Sequence, residues 1–319
     1  MRADDPAAHD PTAHGPAARD PLPPGTAAGG AGSQNPGWPP AAAPRPFLIA
    51  GPCVLEEPDL VLRVADALFA AARARGMHLV FKASYLKDNR TSVDSYVGPG
   101  LDEGLRLLAR VRRECGLPVL TDVHAVEEVG PAAEVVDILQ VPAFLCRQTR
   151  LVQACAASGR PVNLKRGQFL AMDDMREVVA KARRVRPGVD LLLTERGTFF
   201  GYHDLVVDMR SIAFLRTLGG RVVFDATHAL QHPGVGGSRE FARPLARAAL
   251  AAGAQGIFAE THPEPERAKS DASTQIPLAA MPALMDEWLR MGEVVRELER
   301  QGPAGLSPEG PAGRPEAGR

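Results

Sequence analysis

The chain has 319 residues, 45% hydrophobic and 24% charged, enough for one large domain or two smaller ones. A formal net charge of -1 excludes a global basic field for nucleic acid or an anionic membrane, so any anion site must be local, and 5% aromatics argue against a base-stacking platform. Four cysteines with no CxxC pair are no disulfide framework in a chain this long and fit a reducing cytoplasm.

Residues 1–45 are mostly Ala, Pro and Gly without periodicity. Such a segment cannot bury enough apolar surface to offset its ordering entropy, so it reads as a disordered extension with His9 and His14 solvated. Its start, "MRADDPAAHD", is acidic and lacks an apolar stretch, so it reads as no secretory signal. No apolar run approaches the roughly 18 residues of a membrane span.

From residue 46 the pattern becomes regular, with short apolar runs alternating with amphipathic segments. "PFLIAGPC" reads as a strand, followed by the helix "PDLVLRVADALFAAARARG"; "HLVFKAS" precedes a long loop and "LDEGLRLLARVRREC". "LPVLTDVH" pairs with "VEEVGPAAEV", "VDILQVPA" with "TRLVQACAASG", and "RPVNLKRG" with "DDMREVVAKARRV". "VDLLLTERG" leads to "MRSIAFLRTLG", "RVVFDATH" to "REFARPLARAALAAG", and "QGIFAETHP" to "LAAMPALMDEWLRMGEVVRELER". Eight strand–helix pairs predict an α/β (β/α)8 TIM barrel over 46–301, with 302–319 a second disordered tail. A doubly wound sheet would usually show GxGxxG after its first strand, and none is present.

In such a barrel the active site lies at the C-terminal ends of the strands. In order, those ends carry Cys53; Lys82 and Ser84; Asp122 and His124; Gln140; Lys165 and Arg166; Glu195 and Arg196; Asp225 and His228; Glu260 and His262. Closure places the eighth strand beside the first and seventh. Cys53, His228 and Glu260 then meet, with Asp271 close by in "ERAKSDAST". A thiolate, an imidazole and two carboxylates suit a divalent transition metal. The bland alternative makes Cys53 a small buried apolar residue, and His262, facing as Glu260 does, is a rival ligand. A second cluster holds Lys82, Lys87, Arg90, Lys165 and Arg196. These cations are expected to exceed what nearby acids, such as Glu195, neutralise, and to hold phosphates.

The stretches "IAGPC", "KDNRTS", "TDVH", "QVPAFLCRQT", "VNLKRGQFLA", "TERGTFFGY", "VVFDATHALQ" and "ETHPEPERAKSDASTQIPL" closely resemble the 3-deoxy-D-manno-octulosonate 8-phosphate (Kdo8P) synthase family across residues 47–278. The resemblance implies a homotetrameric barrel. It implies condensation of phosphoenolpyruvate with D-arabinose 5-phosphate and water, releasing phosphate on the path to lipopolysaccharide. One branch of the family uses a divalent metal; the other carries Asn where this chain has Cys53. The resemblance therefore implies the metal branch, with Zn, Fe, Mn or Co held by Cys53, His228, Glu260 and Asp271. It implies Lys82, Lys87, Lys165 and Arg196 as the phosphoenolpyruvate site, and Asn89, Arg90 and Ser92 as the sugar-phosphate site. Arg147 would reach a neighbouring subunit's sugar phosphate, and Lys87, Asn89, His228 and Asp271 would be the catalytic set. Neither nucleic acid nor membrane is an expected partner.

Three departures from the family stand out: Asp88 where Ala is common, Arg150 where Asp is usual, and a shorter loop "QHPGVGGSRE" after the seventh strand. One rival is the related condensation on erythrose 4-phosphate, whose enzymes carry a "KPRTS"-like stretch; Asn89 argues against it. The other is a non-catalytic phosphosugar-binding barrel, which should have lost a ligand or a lysine, and none is missing.

Overall fold

A computed structural model describes residues 46–90, 92–232 and 236–302. The expected tails, with His9 and His14, lie outside the described residues apart from Gly302, as does the middle of the loop after the seventh strand.

The strands are β1 (Phe47–Gly51), β2 (Leu79–Lys82), β3 (Val119–Asp122), β4 (Ile138–Val141), β5 (Val162–Lys165), β6 (Leu191–Glu195), β7 (Arg221–Asp225) and β8 (Gly256–His262). Every residue in them is buried, as strands covered on both faces require. Each pairs in parallel with the next, and β8 pairs with β1 from Phe47↔Gly256 to Gly51↔Glu260, so the sheet closes. The expected (β/α)8 barrel is the architecture found.

The helices are α1 (Pro58–Arg75), α2 (Leu101–Cys115), α3 (Val126–Val135), α4 (Thr149–Ala157), α5 (Met175–Val185), α6 (Arg210–Arg216), α7 (Ala242–Ala251) and α8 (Met281–Gln301). Local chemistry sets several of their ends. Pro58 opens α1, where a missing N–H costs nothing, and Gly76 closes it at φ 61°. In α2, Leu105, Leu108, Val111 and Cys115 make the buried stripe. Short 3-10 turns at Arg239–Phe241 and Leu278–Ala280 occupy the starts of the last two expected helices. None of the described helices is long and apolar enough to cross a membrane.

Alternation along each strand divides the core in two. Phe47, Ile49, Val80, Leu120, Ile138, Leu192, Val223 and Phe258 form a separate cluster inside the barrel. The opposite faces, among them Leu48, Phe81, Leu139, Leu193 and Phe224, join the larger core under the helices. This division aims the site.

Candidate active site

Continuing the interior alternation toward the C-terminal end gives the site directly. Ile49 is followed at two-residue steps by Gly51 and Cys53, Val80 by Lys82, Leu120 by Asp122 and His124, and Ile138 by Gln140. Likewise Asn163 leads to Lys165, Leu192 to Thr194 and Arg196, Val223 to Asp225, and Phe258 to Glu260 and His262. Apolar side chains fill the barrel and polar ones follow them on the same face. Above them opens a cavity of about 810 Å³ lined by Lys82, Lys87, Asn89, Arg90, Lys165, Arg196, His228 and Asp271, among others.

Three of the four expected ligands meet at the floor of this cavity. Cys53, Glu260 and Asp271 place one ligand atom each within 4.8 Å of one another. Cys53 Sγ lies 2.9 Å from Ser270 Oγ and 3.0 Å from Asp271 Oδ2. His228 is not part of that trio, but its Nε2 lies 3.7 Å from Glu260 Oε1. Its Nδ1 faces Asp225 Oδ2 at 2.8 Å, the outer partner that fixes a ligating imidazole's tautomer. Glu260 Oε2 is buried without a hydrogen-bond partner among the described residues, a costly state for a carboxylate oxygen that a cation would relieve. Asp271 holds φ 48°, a left-handed conformation that is strained for a side-chain-bearing residue and recurs at functional sites. Soft sulfur, imidazole and two carboxylates fit a first-row transition metal. His262 turns elsewhere: its Nδ1 accepts from the Glu264 N–H at 3.0 Å and its Nε2 lies 3.8 Å from Glu56 Oε1.

Burial and charge set the protonation pattern. Burial pushes the Cys53 thiol well up, and Glu260 adds to the shift. Burial also pushes Glu260 up, but Lys82 and its cationic neighbours outweigh it and leave the carboxyl lowered. Asp225 is held well below the carboxylate range, because His228 and Lys165 overcome its burial. Burial draws Lys165 below its ordinary value against the opposing pull of Asp225. Lys87 ends above its ordinary value, since the anionic side of the cluster overcomes its burial.

The cations converge as expected, but their surplus does not. Lys82 pairs with Glu260 at 2.9 Å and Lys165 with Asp225 at 2.7 Å. Both ammonium groups also stand over the Phe258 ring, at 5.4 and 3.8 Å. Five lining cations, Lys82, Lys87, Arg90, Lys165 and Arg196, face three lining carboxylates, Asp88, Asp122 and Asp271, with Asp225 and Glu260 buried below. The groups balance, because Asp122 and Asp225, strand ends to which the sequence assigns no role, add two carboxylates to the site. Glu195 is not among them. It points to the helix side, where it takes Arg166 Nε and Nη2 at 2.7 Å and Ser211 Oγ at 2.6 Å. At a strand end, adjacent residues face opposite ways, and only the register shows which one enters the site.

A layer of polar residues lies across the barrel under the cavity. Thr194 donates to Asn163 Oδ1 at 2.6 Å, and Asn163 donates to Gln140 Oε1 at 2.7 Å. Gln140 and Ser84 in turn donate to Asp122. The chain of donors runs one way and ends on the anion, the arrangement in which hydrogen bonds reinforce one another. By periodicity alone Asn163 and Thr194 are indistinguishable from other strand-interior positions. The available signal was an unpaired polar residue at the inward position of a buried strand.

Asn89 and Arg90 line the cavity, with Asp88 exposed beside them. Ser92 is exposed and outside the lining, as is Arg147, whose carbonyl accepts from Lys181 at 3.0 Å. Arg150 is exposed on α4. In the loop after β7, Gln231–His232 and Gly236–Gly237 form a two-stranded hairpin. Gln231 there holds both Arg196, at 2.6 Å, and Asp271, at 2.8 Å.

Residues 42–297 match the family model described as the DAHP synthetase I family. A protein of Trichlorobacter lovleyi named 2-dehydro-3-deoxyphosphooctonate aldolase is 52% identical over 254 residues, covering 78% of this chain and 93% of that one. Its namesake in Syntrophobacter fumaroxidans is 54% identical over 257 residues, 79% of this chain and 88% of the other. A Burkholderia mallei protein of that name is 49% identical over 262 residues, 79% and 92% of the two chains.

Proposed function

The chain belongs to the DAHP synthetase I family, among its 2-dehydro-3-deoxyphosphooctonate aldolases (Kdo8P synthases), and from that premise we propose how its barrel mouth performs the reaction. It is a transferase that joins phosphoenolpyruvate to D-arabinose 5-phosphate and water, giving Kdo8P and phosphate. The condensation on erythrose 4-phosphate is not favoured, since the relatives above carry the octonate name.

The observation that carries the reading is the alternation that brings Lys82, Lys165 and Arg196 from three strands into one cavity with Lys87, Asn89 and Arg90. Lys82, Lys87, Lys165 and Arg196 suit the carboxylate and phosphate of phosphoenolpyruvate. Asn89 and Arg90 suit the sugar phosphate, Arg90 having a buried Nη2 without a hydrogen-bond partner among the described residues. Carbon 3 of phosphoenolpyruvate forms the new bond to the aldehyde carbon, whose oxygen gains charge while carbon 2 accepts water. In this reading Lys87, kept an ammonium by the anionic groups around it, meets that oxygen and supplies its proton. Enclosure in the barrel strengthens each of these charge interactions.

Cys53, His228, Glu260 and Asp271 are the residues that would hold a divalent metal such as Zn, Fe, Mn or Co. When bound, the ion supplies Lewis acidity for the aldehyde or for water. A dication would also offset Glu260 and Asp271, so that the mouth regains a positive potential for two anionic substrates. The subunits are read as a homotetramer with Arg147 serving a neighbour. The aromatic Phe200 and Tyr202, exposed at 99% and 98% in a single chain, support a covering partner.

Phosphate release is the test, with phosphoenolpyruvate and either arabinose 5-phosphate or erythrose 4-phosphate, before and after chelation. Turnover with arabinose 5-phosphate, lost on chelation and restored by Mn, Fe, Co or Zn, is expected. A full rate in demonstrably metal-free protein would remove the metal from the reading.

A further inference from the structure

One histidine of the cavity wall has no part in the reaction as described above. His124 follows β3 and lines the cavity together with Lys87, Asn89 and Arg90. Its ring stands edge-on to Tyr85, centroids 5.8 Å apart and planes at 90°. Behind it, Glu128 in the first turn of α3 turns a single oxygen, Oε2, to three groups. The Tyr85 hydroxyl donates to it at 2.6 Å, the His124 backbone N–H donates at 2.7 Å, and His124 Nδ1 lies 3.4 Å away. Nδ1 is buried and makes no hydrogen bond of good geometry as it stands; the charged group it faces, at 3.4 Å, is this carboxylate.

An imidazole lone pair turned toward a carboxylate oxygen is repelled, whereas an N–H is attracted. A proton on Nδ1 is the form this contact favours, and it leaves Nε2, on the far edge of the ring, as an acceptor. Glu128 stays ionised over the working range: burial pushes its carboxyl up, but the bonds from His124 and Tyr85 outweigh it and bring it down to about 2. Tyr85 has no freedom to leave, being fully buried between the barrel and α2.

We propose that Glu128, braced by Tyr85, is a positioning residue that fixes His124 in its Nδ1–H tautomer, so that Nε2 accepts a hydrogen bond from a hydroxyl of the sugar phosphate. The substrate half of this rests on the reading that Asn89 and Arg90 hold the sugar phosphate. The tautomer half does not. A plain helix-terminus role for Glu128, through the His124 backbone N–H alone, would leave the ring's tautomer unset.

The two halves are separable by experiment. Nitrogen-15 NMR of histidine-labelled, ligand-free wild type reads the tautomer of His124, assigned by loss of its signals in His124→Gln. The Nδ1–H form is expected; a predominantly Nε2–H ring overturns the proposal whatever the activity. In Glu128→Ala the ring should lose this preference, and KM for arabinose 5-phosphate should rise about five- to tenfold, the loss expected for one neutral hydrogen bond. KM for phosphoenolpyruvate should stay within about twofold. Glu128→Gln keeps an acceptor oxygen and should restore both the tautomer and the sugar KM; if Glu128→Ala fails to fold, the wild-type tautomer decides, an Nε2–H ring overturning the proposal. An unchanged tautomer in Glu128→Ala, or a sugar KM that moves no more than that for phosphoenolpyruvate, overturns the proposal. Absence of any turnover of arabinose 5-phosphate by wild type would instead overturn the functional reading and leave the tautomer result standing.

Discussion

Cys53 shows at the level of one residue how burial and charge divide a structural role from a chemical one. A cysteine that merely fills space touches apolar atoms, whereas Cys53 Sγ touches Ser270 and Asp271 and sits within ligand spacing of Glu260. Cys53→Ala should therefore retain less than about a tenth of the wild-type metal, measured by elemental analysis on the samples assayed for activity, with a modest loss of melting temperature. Normal metal content in that variant would return Cys53 to the space-filling role. Glu128 gives a second prediction at this scale. Its folded carboxyl lies at about 2, below its unfolded value, so its contribution to stability is present above the unfolded pKa and lost as pH falls through the folded one. The stability gap between wild type and Glu128→Gln, by urea denaturation, should thus be full near pH 6 and shrink toward pH 2. Sequence alone showed the chemistry of Cys53, Glu260 and Asp271 because each is a polar residue in a position that closure brings to one place. It could not show that Glu195 and Arg166 satisfy each other outside the barrel. That depends on which of two adjacent residues at a strand end faces in.

At the scale of an element, the strands carry the information and the helices supply the cover. The interior alternation continues without interruption from Phe47 and Ile49 to Cys53, and the step between them is a glycine for a steric reason. A Cβ on Gly51 would lie 2.1 Å from the Lys82 carbonyl oxygen, a backbone atom that cannot swing away. On Gly256 it would meet the Phe47 ring at 2.5 Å, a side chain with some room to turn. Gly51→Ala is therefore expected to cost more stability than Gly256→Ala, several kcal/mol against roughly 1–3 kcal/mol. Equal melting temperatures for the two would show that β1 shifts as a unit. Strand and helix identities were legible because short apolar runs, as strands covered on both faces require, alternate here with amphipathic stretches of helical period. The polar layer from Thr194 to Asp122 was not, because an asparagine inside the strand "RPVNLKRG" has no evident role until its neighbours on β4 and β6 supply its partners.

For the whole molecule, the number of chains that make one site sets how its defects combine. Arg147 is exposed and outside the cavity of its own subunit, while Lys87 lines it. If Arg147 acts across an interface, each site is built from two subunits, and defects in the two residues fall on different sites. Arg147→Ala should then raise KM for arabinose 5-phosphate more than that for phosphoenolpyruvate, since only the sugar phosphate meets the borrowed guanidinium. The loss should exceed about tenfold, the worth of a charge-assisted bond. A stricter consequence follows from mixing. Lys87→Ala removes the ammonium expected to meet the aldehyde oxygen, so its homo-oligomer should be inactive. Co-expressed with Arg147→Ala subunits, it can lend an intact Arg147 to a neighbour whose own Lys87 is intact, and that site has every group it needs. Mixed assemblies, separated by two different affinity tags, should show more activity than the sum of the two parents. If Arg147 instead serves its own subunit, every site in the mixture lacks one group or the other, and no recovery occurs. A fully active monomer by sedimentation under assay conditions would exclude sharing outright.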